Sequence, residues 1–383
     1  MTRILCISLS PINRDARVLR QIEVLREYGE VTTVGYGEAP PGVAEHIRVP
    51  DDRPSLPQTP LGVARLALRR FRAVEIAAPG VAYAHERLRG RDFDLVVAND
   101  ARVLGLAFAL AGGAPVWADM HEWAPEERTH VLSWRLLVAP FMVHLCRTYL
   151  PRAAVVTTVG GEIAELYFRR FGVLPAVMRN AAPYSTLDPV PVQPGRVRLV
   201  HSGGAVFGRS LETMIDAVRA LDDRFTLDLY LVPAADGGRY LAQLKERAGG
   251  DPRIVFHDPV PPADLPATLN AYDVGVFWIP PVHTNARLTL PNKLFDFVQA
   301  RLAVAIGPTI EMQRVVTEYD LGVVSDDFSV DACVRSLSML TPERIMAYKA
   351  NAHAAALELS FERERALARD LLAELVTRRS ETQ

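Results

Sequence analysis

Short apolar runs alternate with amphipathic ones along almost the whole chain. Twelve runs read as strands: 4–10, 31–36, 94–100, 115–121, 154–159, 176–180, 197–203, 227–232, 253–258, 274–279, 303–307 and 322–325. They are rich in Val and Ile and lack strict alternation, as in ILCISLS (4–10) and VGVFWI (274–279). Strands covered on both faces read this way, so the pattern predicts parallel sheets. Between them, apolar residues recur at helical spacing. Arg17–Tyr28 has them at 18, 19, 22 and 25, and Ser210–Leu221 at 211, 214, 215 and 218, with Ser210 as the expected N-cap. Strand and helix alternating from end to end predict an α/β chain of two doubly wound, Rossmann-like domains.

The pattern breaks at NAAPYSTLDPVPVQPGRV (180–197), which has four prolines and little periodicity. A linker is expected there, separating domains at 1–185 and 195–361. Ser360–Arg379 reads as one long amphipathic helix, so the tail, about 362–383, is expected to pack back on the first domain. At 383 residues the chain exceeds one typical core, which agrees with two domains. A net charge of −2 leaves no electrostatic footprint for nucleic acid.

Cys6, Cys146 and Cys333 are unclustered, without disulfide or zinc spacing. MTRILCISLSPINRD has too short an apolar stretch for a signal peptide. The uncharged run Val103–Ala118 is broken by Gly112, Gly113 and Pro115 and reads as helix, turn and strand. A cytoplasmic location is expected, with the inner membrane face as its only variant. The basic segment LALRRFRAV (66–74) admits anionic lipid but reads first as a solvated face.

Ligands of doubly wound folds sit beyond the strand C-termini, near helix N-termini. The first such turn, SLSPINRDARV (8–18), has no glycine, which argues against a dinucleotide loop in the first half. Its counterpart in the second half, HSGGAVFGRS (201–210), has three, with Arg209 near the next helix start. Farther on, TLPNKLFDFVQARLAVAIG (289–307) opens a helix with Pro291 at the expected N1 position. Lys293 is one of three lysines beside forty arginines. It shares a helix face with Asp296. A compact ammonium there suits a phosphate, and the carboxylate one turn deeper suits a ribose diol. The plain alternative is a surface ion pair. Asp119, His121 and Glu122 could be read as metal ligands, but no third partner accompanies the strand face shared by 119 and 121, and no metal is expected.

LPNKLFDFVQARLAVAIG resembles the "PNKLFEYLAAGLPVV" region of retaining family 4 glycosyltransferases of the GT-B fold. The resemblance extends, in order, to residues 15–36, WADMHEW (117–123), 153–172, VMRNAAPY (177–184), LVHSGGAVFGRSLETMIDAVRAL (199–221) and DLPATLNAYDVGVF (264–277). It implies two domains facing each other across a cleft. A nucleoside-diphosphate sugar would be the donor, with no cofactor and no metal. Gly203, Gly204, Arg209 and Lys293 would hold the diphosphate and Asp296 the ribose. The loop 258–264 would pass near the base. Asp15, Arg17, His121 and Glu122 would lie on the acceptor side, with His121, Arg209 and Lys293 nearest the chemistry.

The implied activity is transfer of a hexose, from UDP by preference, to a glycan, lipid-linked or small-molecule acceptor with retention of configuration. Four departures stand out. Leu288 replaces the first Glu of the family's Glu-x7-Glu pair, Asp296 the second, Arg301 a common Gly, and Ala303 a common Pro. Leu288 keeps a second reading open: an inactive binding or regulatory protein of the same fold. A nucleotide-sugar epimerase is a third, which no residue favours.

Overall fold

The computed structural model describes residues 2–380. Met1 and residues 381–383, the end of the expected 362–383 helix, lie outside the described residues. All twelve predicted strands form, and a thirteenth joins them. The strands are β1 (Arg3–Pro11), β2 (Glu30–Tyr36), β3 (Glu45–Arg48), β4 (Leu95–Asn99), β5 (Val116–Met120), β6 (Val155–Thr158) and β7 (Ala176–Val177) in one sheet. The other holds β8 (Val197–Ala205), β9 (Phe225–Pro233), β10 (Ile254–His257), β11 (Val274–Phe277), β12 (Ala303–Ile306) and β13 (Gly322–Val324). The unforeseen β3 is an edge strand with one aliphatic residue, Ile47, and no fully buried position, so its sequence carries no strand signal.

The strand order is β3-β2-β1-β4-β5-β6-β7 in the first sheet and β10-β9-β8-β11-β12-β13 in the second. Every pairing is parallel. Each order reverses beside its first strand, at β1/β4 and at β8/β11. Such switch points open a crevice at the strand C-termini.

The chain divides into two compact units. The first comprises Met1–Arg179, His283–Asn285 and Arg365–Gln383; the second comprises Asn180–Val282 and Ala286–Glu364. The proline-rich stretch expected as a linker is extended, and Ala181 and Ala182 are buried in the second unit's core. Arg365 pairs with Glu23 and Glu27, and Arg369 with Glu27, along the helix Phe361–Ser380.

Within the second unit, successive residues of β8 serve opposite layers. Leu199 packs with Met214, Ile215 and Val218 of the helix Glu212–Ala220. Val200 packs with Leu294, Phe297 and Val298 of the helix Asn292–Gln299. Covering both faces explains the absence of polar alternation. Gly275 of β11 sets the depth of the second contact: a Cβ there would lie 2.4 Å from the Phe297 ring. Strand and helix therefore approach closely, which places Lys293 one turn back toward the helix start.

Two local expectations need correction. Pro291 is the N-cap, with an extended ψ of 151°, and the helix starts at Asn292. Ser210 is left-handed at φ 50° and does not cap the helix that begins at Glu212. Arg301 also adopts the left-handed region, at φ 58°, which explains the Gly common at this position in the resembling family. Its guanidinium donates to the carbonyls of Val298 and Gln299 at the helix end and to that of Ser185 in the extended stretch 180–197.

Candidate active site

The residues singled out above fall into two groups, one in each unit. In the second unit, Gly203 and Gly204 stand just before the last residue of β8, Ala205, at the switch point. The Lys293 side chain crosses Gly203 so closely that a Cβ there would lie 2.3 Å from Cε and 2.4 Å from Nζ. Gly203 also has φ 146°, which disfavours any other residue. Arg209 approaches from the following loop, its Nη1 3.5 Å from the Gly204 carbonyl oxygen. Two cations thus converge on a strand end whose two glycines have no side chains to keep an anion away.

Electrostatics mark the same spot. Burial pulls the Lys293 ammonium down, Asp296 opposes that shift, and Arg209 adds to it. Burial also lowers Arg209. His201, overlooked in the sequence, lies beneath them. Burial, Lys293 and Arg209 bring its pKa down to about 3. The neutral ring donates from Nδ1 to the Val276 carbonyl at 2.8 Å. Such crowding of like charge is relieved by an anionic ligand. Asp296 lies one turn along the helix, half-buried.

The first unit holds an acid–base group at the ends of β4 and β5. His121 Nε2 lies 3.0 Å from Asn99 Oδ1 and 3.3 Å from Asp119 Oδ2, and its Nδ1 is 3.7 Å from Asp100 Oδ2. Burial works against the charged ring, but Asp100 and Asp119 prevail and raise it to about 9. Asp119 is fully buried. Burial would raise its pKa, but Arg17 and His121 hold it well below the usual range. Partial burial, with Glu127 and Asp100, pushes the Glu122 carboxyl up to about 7, although that residue keeps an exposed face. Asp100 has φ 74°, a strained value for a non-glycine residue. A cavity of about 140 Å³ is lined by Asp100, Arg102, His121, Glu122 and Glu127 among others.

Asp15 and Arg17 do not present open side chains here. Asp15 caps the helix Ala16–Leu25, accepting from the Val18 amide at 3.3 Å and from Ser10 Oγ at 2.9 Å. Arg17 is buried and donates to both Asp119 oxygens, at 2.8 and 2.6 Å, and to the Met178 carbonyl at 2.8 Å. It acts on His121 through Asp119. Sequence reading also missed Asp100, Arg102 and Glu127. Asn285 joins this unit: its Oδ1 accepts from the Trp123 amide at 2.8 Å, and its Nδ2 donates to Glu122 at 3.1 Å. A polar residue beside buried Leu288 was the one available hint. Among the described residues, no group of three or more His, Cys, Asp or Glu side chains is arranged to hold a metal ion.

Two all-parallel doubly wound units of this kind are the GT-B fold of glycosyltransferases. In particular, the chain is similar to sucrose-phosphate synthase from Thermosynechococcus elongatus, with TM-score 0.71 and 15% identity over 98% of this chain and 100% of that one. HepE from Anabaena, solved with UDP-glucose, matches at TM-score 0.67 and 15% identity, covering 98% and 100%. A glycosyltransferase from Rickettsia africae matches at 0.68 and 11%, covering 98% of each chain. At these identities the likeness establishes the fold. No protein-family model matches the chain, and no curated protein matches it.

Proposed function

We propose that this chain is a retaining, nucleotide-sugar-dependent hexosyltransferase that works without a metal ion and prefers UDP. The observation that carries the proposal is the convergence of Lys293 and Arg209 on Gly203 and Gly204 at the end of β8. Solved structures of the same fold lend support, since HepE was crystallised with UDP and with UDP-glucose.

In the transfer, the bond from the anomeric carbon to the diphosphate oxygen breaks and a bond to an acceptor hydroxyl oxygen forms on the same face. Negative charge builds on the departing diphosphate. Lys293, Arg209 and the amides at the end of β8 stabilise it as fixed donors that need no reorganisation. The diphosphate oxygen takes the acceptor proton. Asp296 binds the ribose diol, and the His121 group serves the acceptor side, its imidazolium favouring electron-rich hydroxyls.

Calorimetric titration with UDP, GDP, ADP, CDP and dTDP, first without metal and then with Mg²⁺, tests this. Metal-free binding of UDP ahead of the others is expected. If no diphosphate binds under either condition, the inactive-protein reading motivated by Leu288 replaces it. Sugar interconversion without an acceptor would mark an epimerase instead.

A further inference from the structure

Away from both groups, the first unit carries a surface that its own fold leaves uncovered. The helix Pro60–Ala67 exposes Leu61 and Ala64, with Leu68 continuing the same face just beyond its end. Beside it, Val131, Leu132 and Leu136 are exposed around the π-helical turn Trp134–Val138. Leu61, Leu68, Leu132 and Leu136 are between 52% and 71% exposed, which is far from the scattered single leucines of an ordinary surface. The two segments form one surface. Arg69, left-handed at φ 57°, ends the helix and donates to the Leu136 carbonyl at 2.9 Å. Val63 and Leu66 from one segment and Val131 and Leu137 from the other line a shared groove of about 330 Å³. Trp134 lines it too, and its buried indole N–H has no hydrogen-bond partner.

Charge selects the occupant. Residues 59–74 carry Arg65, Arg69, Arg70 and Arg72 and no carboxylate; residues 128–138 add Arg128 and Arg135, again with none. The nearest flanking acids are engaged: Glu127 by Arg102 at 2.8 Å and by Arg128 at 3.8 Å, and Glu75 by His144 and Tyr149, both at 2.6 Å. Leucines ringed by arginines, with the flanking acids already paired, are suited to a surface that is apolar within and negative at its rim.

We propose that this face docks on an anionic lipid bilayer, with Leu61, Leu68, Leu132 and Leu136 entering the headgroup boundary and the arginines meeting lipid phosphates. The inference is independent of the glycosyl-transfer proposal. Residues 66–74 alone read first as a solvated face; the second apolar, basic segment that the tertiary fold sets beside them favours the lipid alternative. No helix among the described residues is long and apolar enough to cross a membrane, so the contact would be peripheral.

Co-sedimentation of the full chain with vesicles tests this. Vesicles of equal parts phosphatidylcholine and phosphatidylglycerol should pellet the protein at low salt, and pure phosphatidylcholine should not. Arg70→Gln, Arg72→Gln and Arg135→Gln together should lower partitioning on the order of 100-fold, at about fivefold per cation. Leu132→Ser with Leu136→Ser should weaken it at every salt concentration. Absence of binding to anionic vesicles by the unaltered protein overturns the proposal, as does binding that neither variant reduces. If the leucine variant instead converts a dimer to a monomer in light scattering, a second copy of the chain covers the face, and the lipid assignment fails.

Discussion

Gly203→Ala isolates the geometry on which the donor site rests. The new Cβ would stand 2.3 Å from Lys293 Cε and 2.4 Å from Nζ. Those atoms end a flexible side chain, so the ammonium moves and the fold stays. The φ of 146° adds a backbone cost of about 1–3 kcal/mol, which a domain with roughly 5–15 kcal/mol of stability survives. A hydrogen bond to a charged group contributes about 1.5–3 kcal/mol, so misplacing Lys293 should weaken UDP binding by about 10- to 150-fold. Uridine, which has no phosphate, should bind almost as before.

Calorimetry with UDP and uridine on Gly203→Ala, Lys293→Ala and the double variant reads this directly. The two changes act on one contact, so the double variant should lose little more than Lys293→Ala alone. Gly204→Ala is the internal comparison. Its Cβ would meet Val206 at 3.3 Å and Arg209 Nη1 at 3.6 Å, so a much smaller loss is expected. A folded Gly203→Ala protein that binds UDP normally would refute the reasoning, as would equal losses of UDP and uridine.

Asp296→Asn should weaken UDP and uridine alike, because the ribose is common to both; a loss confined to UDP would contradict the ribose role. Arg17→Met leaves the buried Asp119 carboxylate without its bidentate partner and should cost about 3–5 kcal/mol in urea unfolding, whereas a loss under about 1 kcal/mol would mean that solvent reaches Asp119. Folding raises the His121 pKa from 6.5 to about 9, so its contribution to stability is complete below pH 6.5 and disappears as pH rises through 9. His121→Gln should flatten that decline, and an imidazole titration by NMR with a midpoint below 7 would refute the assignment. Glu122 is raised from 4.5 to about 7, so its protonated form favours the fold below pH 4.5 and that benefit is lost through 7; a carboxyl titration near the ordinary value would count against the crowding by Glu127 and Asp100.

Much of the architecture was legible because it rests on local periodicity. Val- and Ile-rich runs without alternation identify strands that helices cover on both sides, and twelve of thirteen were readable in this way. The edge strand β3 was not, since a strand open to solvent needs few apolar residues. The glycines of residues 201–210 and the rare lysine at 293 could likewise be singled out, because a tight turn and a helix start leave marks within a few positions. The tertiary structure alone decided which distant residues meet. Lys293 crosses Gly203 because Gly275 lets Phe297 settle against the sheet. Arg17 is buried against Asp119, 102 positions away, and Asn285 reaches Trp123 across 162. Strand order sets the first meeting and the return of residues 283–285 to the first unit sets the second, and no periodicity within a segment encodes either. The same holds for the leucine–arginine face: each half reads as an ordinary basic or apolar stretch, and only packing the helix Pro60–Ala67 beside residues 128–138 makes one surface of them.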